Sequence, residues 1–316
     1  MDKLRKIGLT ALAGSLVAGS VSAAEMSVSG SAGMSYSGGD EHAVTGAGWT
    51  MGDSVTFSAS GDVNDIGVTY SVELDGDAAQ GATAPVDSHS ITFDLGDAGS
   101  LVFAGHGGSS AMGAVDDVMP TASQEPWDLA TGAEADVIGG GGGNNMFTYT
   151  YAHDSGLNVT ASYTNAADAV TDVSYSDIGV SYSGVDGLLI GYAQGDVEVT
   201  TNTKKEQNTM YATYAMGGIT VGIQVSENDQ SGSTNDRDST GMGISYQVSD
   251  DLAVSYGSHN IEYDNTTLDD QESTAVSVSY TMGSLGIKAA MTSVDNIAGA
   301  ATNDREAYEL ALSFAF

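Results

Sequence analysis

Apolar and polar residues alternate with period two along most of the chain, most cleanly at its end. Tyr308, Leu310, Leu312, Phe314 and Phe316 share one parity, and Glu309, Ala311, Ser313 and Ala315 share the other. Successive side chains of a strand point to opposite faces, so this segment has one apolar face and one small or polar face. The same alternation sets Ile219, Val221, Ile223 and Val225 against Thr220, Gly222, Gln224 and Ser226. It recurs for Met242, Ile244, Tyr246 and Val248, and for Val276, Val278, Tyr280 and Met282. Segments of about ten residues, enough for a tilted strand to cross a bilayer, follow one another from Glu25 onward.

The connections between segments alternate too. Tight ones lie at Asn64-Asp65, Asp97-Ala98-Gly99, Asp154-Ser155-Gly156, Asp186-Gly187, Gly217-Gly218, Asp250-Asp251 and Gly283-Ser284. These residues accept the positive φ of hairpin turns. Longer connections rich in Asp, Asn, Ser and Gly lie at 76–87, 201–207, 229–239, 264–272 and 295–304. Seven tight and eight long connections join sixteen strands. The pattern predicts an all-β chain folded as a 16-stranded antiparallel transmembrane β-barrel, with its tight turns on one side of the membrane. Closure removes the exposed edge that the last strand would otherwise present, so Phe316 is expected to end the stave that seals the barrel.

One connection stands apart. Residues 107–144 hold Met112, Asp116, Asp117, Met119, Glu125, Trp127, Asp128, Glu134 and Asp136, two of the chain's 3 prolines (Pro120 and Pro126), and a glycine run from Gly139 to Gly143. A connection this long in a compact fold is functional or disordered. Its Trp, Met and Ile residues give it something to pack with, so it is expected to be ordered, with the glycine run as a hinge.

Composition supports the barrel. Gly is 42 of 316, Cys 0 and hydrophobic residues 41%, with a mean hydropathy of −0.08. That is too polar for a bundle of membrane helices but suits strands with one wet face. Tyr outnumbers Trp by 15 to 2, and Tyr36, Tyr70, Tyr151, Tyr163, Tyr175, Tyr263, Tyr280 and Tyr308 lie near predicted strand ends, as in an aromatic girdle. Residues 1–23 read as a secretory leader: Lys3, Arg5 and Lys6, a short apolar run, then Val21-Ser22-Ala23 with cleavage after Ala23. The mature chain, 24–316, is a single barrel domain. The leader takes with it three of the 8 basic residues and Asp2 of the 42 acids, leaving a net charge of about −36. Nucleic acid is a poor partner for such a surface, and inorganic cations are good ones.

The scattered histidines, His42, His89, His106, His153 and His259, have no metal-ligand spacing. Asp269-Asp270-Gln271-Glu272, Asn228-Asp229 and the Asp236/Asp238 pair offer oxygen ligands for Ca²⁺ or Mg²⁺, with solvated acidic loops as the alternative. Gly139 to Gly143 lacks the Lys-Ser/Thr of a phosphate loop, and no catalytic constellation stands out, so no enzyme is expected.

The leader with Val21-Ser22-Ala23, the Phe316 terminus and the loop opening Gly107-Gly108-Ser109-Ser110-Ala111-Met112-Gly113-Ala114-Val115-Asp116-Asp117 together resemble the general bacterial porins. The resemblance is to the 16-stranded, Rhodobacter-like type of alphaproteobacteria. It implies an outer-membrane homotrimer, inserted by the outer-membrane assembly machinery, that passes small hydrophilic solutes. It also implies that 107–144 folds into the pore as the third external loop, its acids facing bases on the wall. Asp116, Asp117, Glu125, Asp128, Glu134 and Asp136 are then the acidic side of the constriction. By strand parity Lys288 and Arg305 point into the lumen opposite them, while Lys204, Lys205 and Arg237 fall in external loops. So few bases imply cation preference. The alternative from another class is a secreted, acidic, β-rich surface protein or adhesin stabilised by Ca²⁺. It leaves the terminal Phe and the asymmetry of turns and loops unexplained.

Overall fold

The computed structural model describes residues 25–40, 48–76, 86–115, 118–135, 137–139, 143–165, 174–200, 203–231 and 236–315. The predicted cleavage residue Ala23 and the terminal Phe316 lie outside them. The strands are β1 (Glu25–Gly39), β2 (Gly48–Val63), β3 (Ile66–Asp75), β4 (Val86–Asp94), β5 (Ser100–His106), β6 (Met146–Ala152), β7 (Leu157–Thr164) and β8 (Ser174–Val185). They continue as β9 (Leu188–Thr200), β10 (Thr203–Met216), β11 (Ile219–Gln230), β12 (Arg237–Gln247), β13 (Leu252–Tyr263), β14 (Gln271–Met282), β15 (Leu285–Asp295) and β16 (Arg305–Ala315). Each pairs antiparallel with its neighbours in sequence, and β16 closes on β1 from Ser31↔Ala315 to Gly39↔Ala307. The C-terminal stave therefore seals the sheet and leaves no edge.

The polarity of this sheet is inverted relative to a soluble fold. In β11 Ile223 is 45% exposed while Gln224 is 3% and Ser226 1%. Met242, Ile244 and Tyr246 of β12 and Val276, Tyr280 and Met282 of β14 are exposed as well. Apolar side chains turned outward all round a closed sheet match a hydrocarbon exterior.

Every predicted tight turn joins the strands expected of it. At the first, Asn64 and Asp65 have φ of 52° and 65°, the left-handed pair that matches the twist of a two-residue hairpin. Several long connections are shorter than the sequence pattern suggested. Lys204 and Lys205 belong to β10, and Arg237 begins β12, so their placement in external loops is corrected. Polarity misled here: above the apolar band the strands continue as polar ladders, pairing Glu206 with Asp229 and Glu227 with Asp238. The girdle is corrected in part. Tyr36, Tyr70, Tyr163, Tyr280 and Tyr308 face outward, whereas Tyr175 is 2% exposed on the inner side, and Tyr263 also turns inward to bond with Glu134.

The wall is uneven. β5 and β6 have 7 residues each and β7 has 8, whereas β8 to β16 have 11 or more. At about 3.3 Å per residue and a tilt of about 40°, seven residues rise only about 18 Å, short of the ~25 Å apolar band of an outer-membrane barrel. This low stretch is aromatic outside, with the rings of Phe103 and Phe147 4.8 Å apart.

Candidate functional site

The connection between β5 and β6 lies against inward-facing side chains of the wall. Its ends are pinned together where the Gly108 N–H donates to the Gly143 carbonyl (2.9 Å). From there the Ala111 N–H donates to Ser162 Oγ (3.1 Å) and the Met112 N–H to Asp177 Oδ2 (2.6 Å). Asp177, buried, also accepts from the Ser162 hydroxyl. Met112, Val137 and Ile138 pack with Tyr175, Ala193, Tyr211 and Ile261, making an apolar patch on an otherwise polar inner face. Wall amides reach the loop backbone: Gln224 Nε2 donates to the Val115 carbonyl (2.8 Å) and Asn228 Nδ2 to the Val137 carbonyl (2.6 Å). Such bonds satisfy loop groups that would otherwise be buried without partners.

Beyond Val115 the loop passes over β11 to β13 and reaches β14 and β16. The Ala122 N–H donates to Ser255 Oγ (2.8 Å), which shares a hydroxyl contact with Ser277 (2.6 Å). Gln124 Nε2 donates to Glu309 Oε2 (2.6 Å). Ser277 and Glu309 stand near the middle of β14 and β16, so the loop reaches mid-barrel. Trp127 tilts against the buried His259, ring centroids 4.4 Å apart. On the return, Gln271 brackets Glu134, accepting from its N–H (2.9 Å) and donating to its carbonyl (2.8 Å). The Glu134 carboxylate accepts from Arg237 Nη1 (2.8 Å) and the Tyr263 hydroxyl (2.9 Å).

Of the loop acids singled out from the sequence, Asp116, Asp117 and Asp136 lie outside the described residues. Glu125 is only 6% exposed, packed within the loop and wall. Its N–H donates to Asp128 Oδ2 (2.6 Å), and Asp128 itself is exposed. Glu134 is half-buried, and its basic partner is Arg237, not the Lys288 or Arg305 expected opposite it. Both of those bases do have inward parity. Lys288 shares it with Ala290 and Thr292, one inward step beyond the rung that joins Ser277, Ala290 and Glu309. Arg305 donates through Nη1 to the Asp304 carbonyl (2.9 Å). Among the described residues no three His, Asp or Glu side chains gather so as to hold a metal ion.

The wall left bare by the loop has a different chemistry. Inward positions of β1 to β4 are mostly hydroxyls, in cross-strand contacts such as Ser35 with Thr50 (2.8 Å) and Ser58 with Ser71 (3.3 Å). On the sixteen-membered ring β1 to β4 stand opposite β9 to β12.

The family model described as Gram-negative porin matches residues 8–316. The chain belongs to that family. No curated protein matches its sequence. Among solved structures this porin is similar to a loop-deleted form of the Vibrio cholerae outer membrane protein OmpT, with TM-score 0.71, 17% identity and coverage of 93% of this chain and 100% of that one. OmpT is also represented in a trimer form. An anion-selective porin from Comamonas acidovorans gives TM-score 0.71 at 13% identity, covering 93% and 100%. A double mutant of the Rh. blastica porin gives 0.66 at 14%, covering 92% and 100%. At these identities the structures speak for the fold alone, and the fold and family together make this an outer-membrane porin channel. A calcium-stabilised secreted protein is set aside, because a closed barrel with an apolar exterior needs a bilayer around it.

Proposed function

We propose that this porin is a passive, cation-preferring diffusion channel for small hydrophilic solutes and ions, narrowed at mid-barrel by its 107–144 loop. The observation that carries the preference is a gap in the sequence: from Ile7 to Thr203 there is no Lys or Arg. Strands β1 to β9, and the loop between β5 and β6, therefore present no base to the passage. The bases with inward parity come from β10, β12, β15 and β16, and Arg237 among them is already matched by Glu134. Uncompensated carboxylates in a low-dielectric throat favour cations. Planar-bilayer recording under a KCl gradient tests this. Stepwise currents with a reversal potential favouring K⁺ are expected, and a potential favouring Cl⁻ would sink the preference while leaving the channel.

The same reading includes a homotrimer joined through the low wall. A hydrocarbon layer overreaches strands as short as β5 and β6, and their outer face is aromatic, so protein covers it better than lipid. The outer rim of β9 to β16 is ill suited to self-contact. Its outward positions carry Asp196, Glu206, Asp229, Asp238, Glu272 and Asp295, many directly opposite one another. Mass measurement of the detergent-extracted porin checks this, and a monomer in mild detergent would count against it. The kinship with alphaproteobacterial porins rests on the loop opening and termini, and remains part of the proposal.

A further inference from the structure

One rung of the inner wall carries no side chain across three strands. Gly222 of β11 pairs with Gly243 of β12, and Gly243 pairs with Gly257 of β13. All three share the inward parity of Gln224, Gly241 and Ser255. Glycine in mid-strand weakens a sheet and marks a close approach by another backbone. Here the approaching chain is visible: both loop prolines lie on the rung. A Cβ placed on Gly222 would be 2.6 Å from Pro120 Cδ. One on Gly243 would be 2.9 Å from the Pro120 carbonyl oxygen, 3.0 Å from its Cδ and 3.2 Å from its nitrogen. One on Gly257 would be 3.1 Å from Pro126 Cγ. Under 3.0 Å something must shift.

We propose that the Gly222–Gly243–Gly257 rung is the seat that fixes how far the loop stands off the wall, and so sets the size limit of the channel, with Pro120 and Pro126 as rigid inserts. The hydrogen bonds elsewhere do not fix this depth. Those from Gln224, Asn228 and Gln271 come from long side chains that can follow a shifted loop. The short ones, Ser162 and Asp177 at the loop's start and Ser255 between the two prolines, each hold a single N–H, whereas the glycine contacts set the spacing from one backbone to the other. Proline strengthens the fit, since its ring and fixed φ leave the loop few ways to yield. This inference rests on the diffusion-channel reading and names what gauges that channel.

The test is single-channel conductance in KCl, with neutral polyethylene glycols of graded size as sieving probes, on Gly222→Ala and Gly243→Ala, each with and without Pro120→Ala. Each glycine variant should push the loop into the passage, lowering conductance about 1.5-fold and reducing the largest polymer admitted. The two should then differ in rescue. The new methyl at 222 meets the Pro120 ring, which Pro120→Ala removes, so the double variant should recover the parent conductance. The methyl at 243 also meets the Pro120 backbone, which alanine keeps, so its double variant should stay low. A merely structural role would reduce the yield of folded barrel without changing the conductance of channels that form. Parent-like conductance in both glycine variants, or no difference in rescue, overturns the proposal. If neither folds, Pro126→Ala in the parent barrel decides: a fluctuating current with a raised size limit supports the seat, and a steady unchanged current overturns it. Should the parent form no channel, the diffusion reading fails and the seat falls with it.

Discussion

The arc from β1 to β7 and the arc from β8 to β16 use the same strand geometry for opposite ends. Inside, the first arc shows from β1 to β4 mostly short hydroxyls in contact across strands, as in the Ser31–Ser54 contact (3.3 Å). It meets the loop only towards β6 and β7, through Thr148 and Ser162. The second shows amides, carboxylates and bare glycine backbone committed to the loop. Outside, the first arc is low and aromatic along β5 and β6, while the second is tall and carries an acidic rim above its apolar band. All five bases after residue 6 belong to the second arc. One arc carries most of the loop's contacts, and in the proposed channel the other is the smooth side of the passage. In the proposed channel selectivity arises between them, so it should respond most to bases placed on the arc that has none.

The largest effect is expected from adding bases there. Ser54 and Ser58 of β2 have inward parity and nothing to anchor beyond each other's neighbours. Arginines at both positions would put two cations opposite the loop, where focusing of the field is strongest. The K⁺ over Cl⁻ permeability ratio should fall about threefold or more, toward anion preference, in reversal-potential measurements. A ratio within error of the parent would mean that the current does not pass between these two walls.

Next in size is the one ion pair between loop and wall among the described residues. Glu134 and Arg237 are 26–30% exposed and 2.8 Å apart. Replacing one partner strands the other charge, at a cost of about 1 kcal/mol once partial screening is allowed for. Glu134→Gln leaves an unmatched guanidinium in the passage and should lower cation preference about twofold, while Arg237→Gln should raise it by a similar factor. The double variant should return near the parent ratio. Opposite signs in the singles, read from the same gradient, distinguish a charge effect from loosening of the loop, which would move both the same way.

The sequence made the barrel legible because period-two alternation and turn chemistry act locally, and each strand reports its own parity. The strands of the second half, Ile219 to Val225 and Val276 to Met282 among them, needed no long-range information to be placed. The loop's contacts were hidden because they join residues far apart in the chain. Gly222 and Gly243 read as the small members of an alternating pattern, and nothing local marks them as lying under Pro120. Their shared parity in neighbouring strands was the available signal, and it has meaning only once register is known. Arg237 was misplaced for a related reason. The ladder above the apolar band is polar on both faces, so it looks like loop until its cross-strand partners are counted. Glu125, by contrast, was nominated on charge alone, and burial decides its position.

A smaller effect should separate the outer faces of the two arcs. Asp238 of β12 stands directly opposite Glu227 and Glu262, and like charges in such positions repel. Salt should therefore raise the unfolding temperature of the detergent-solubilised porin, because the Debye length contracts from ~10 Å at 0.1 M to ~3 Å at 1 M. Asp238→Asn should raise it at low salt and flatten the dependence. Equal salt dependence in the parent and the variant would locate the repulsion elsewhere.

The smallest effects come from two neighbouring lysines, and they make the finest division between inside and outside. Lys204 has outward parity and pairs with Asp196 (3.1 Å) and Glu206 (2.9 Å), all well exposed. Exposed pairs contribute little, and a charge on the outer face is screened from the passage by the wall and by solvent. Lys205 has the parity of the buried Gln207 and Thr209, so its ammonium is directed to the lumen side. Lys204→Gln should therefore leave the reversal potential unchanged, while Lys205→Gln shifts it slightly toward cations. One residue of register separates the two outcomes. If Lys204→Gln moved the potential and Lys205→Gln did not, the inner and outer faces of β10 would have to be exchanged, and with them the side of the sheet on which the loop is seated.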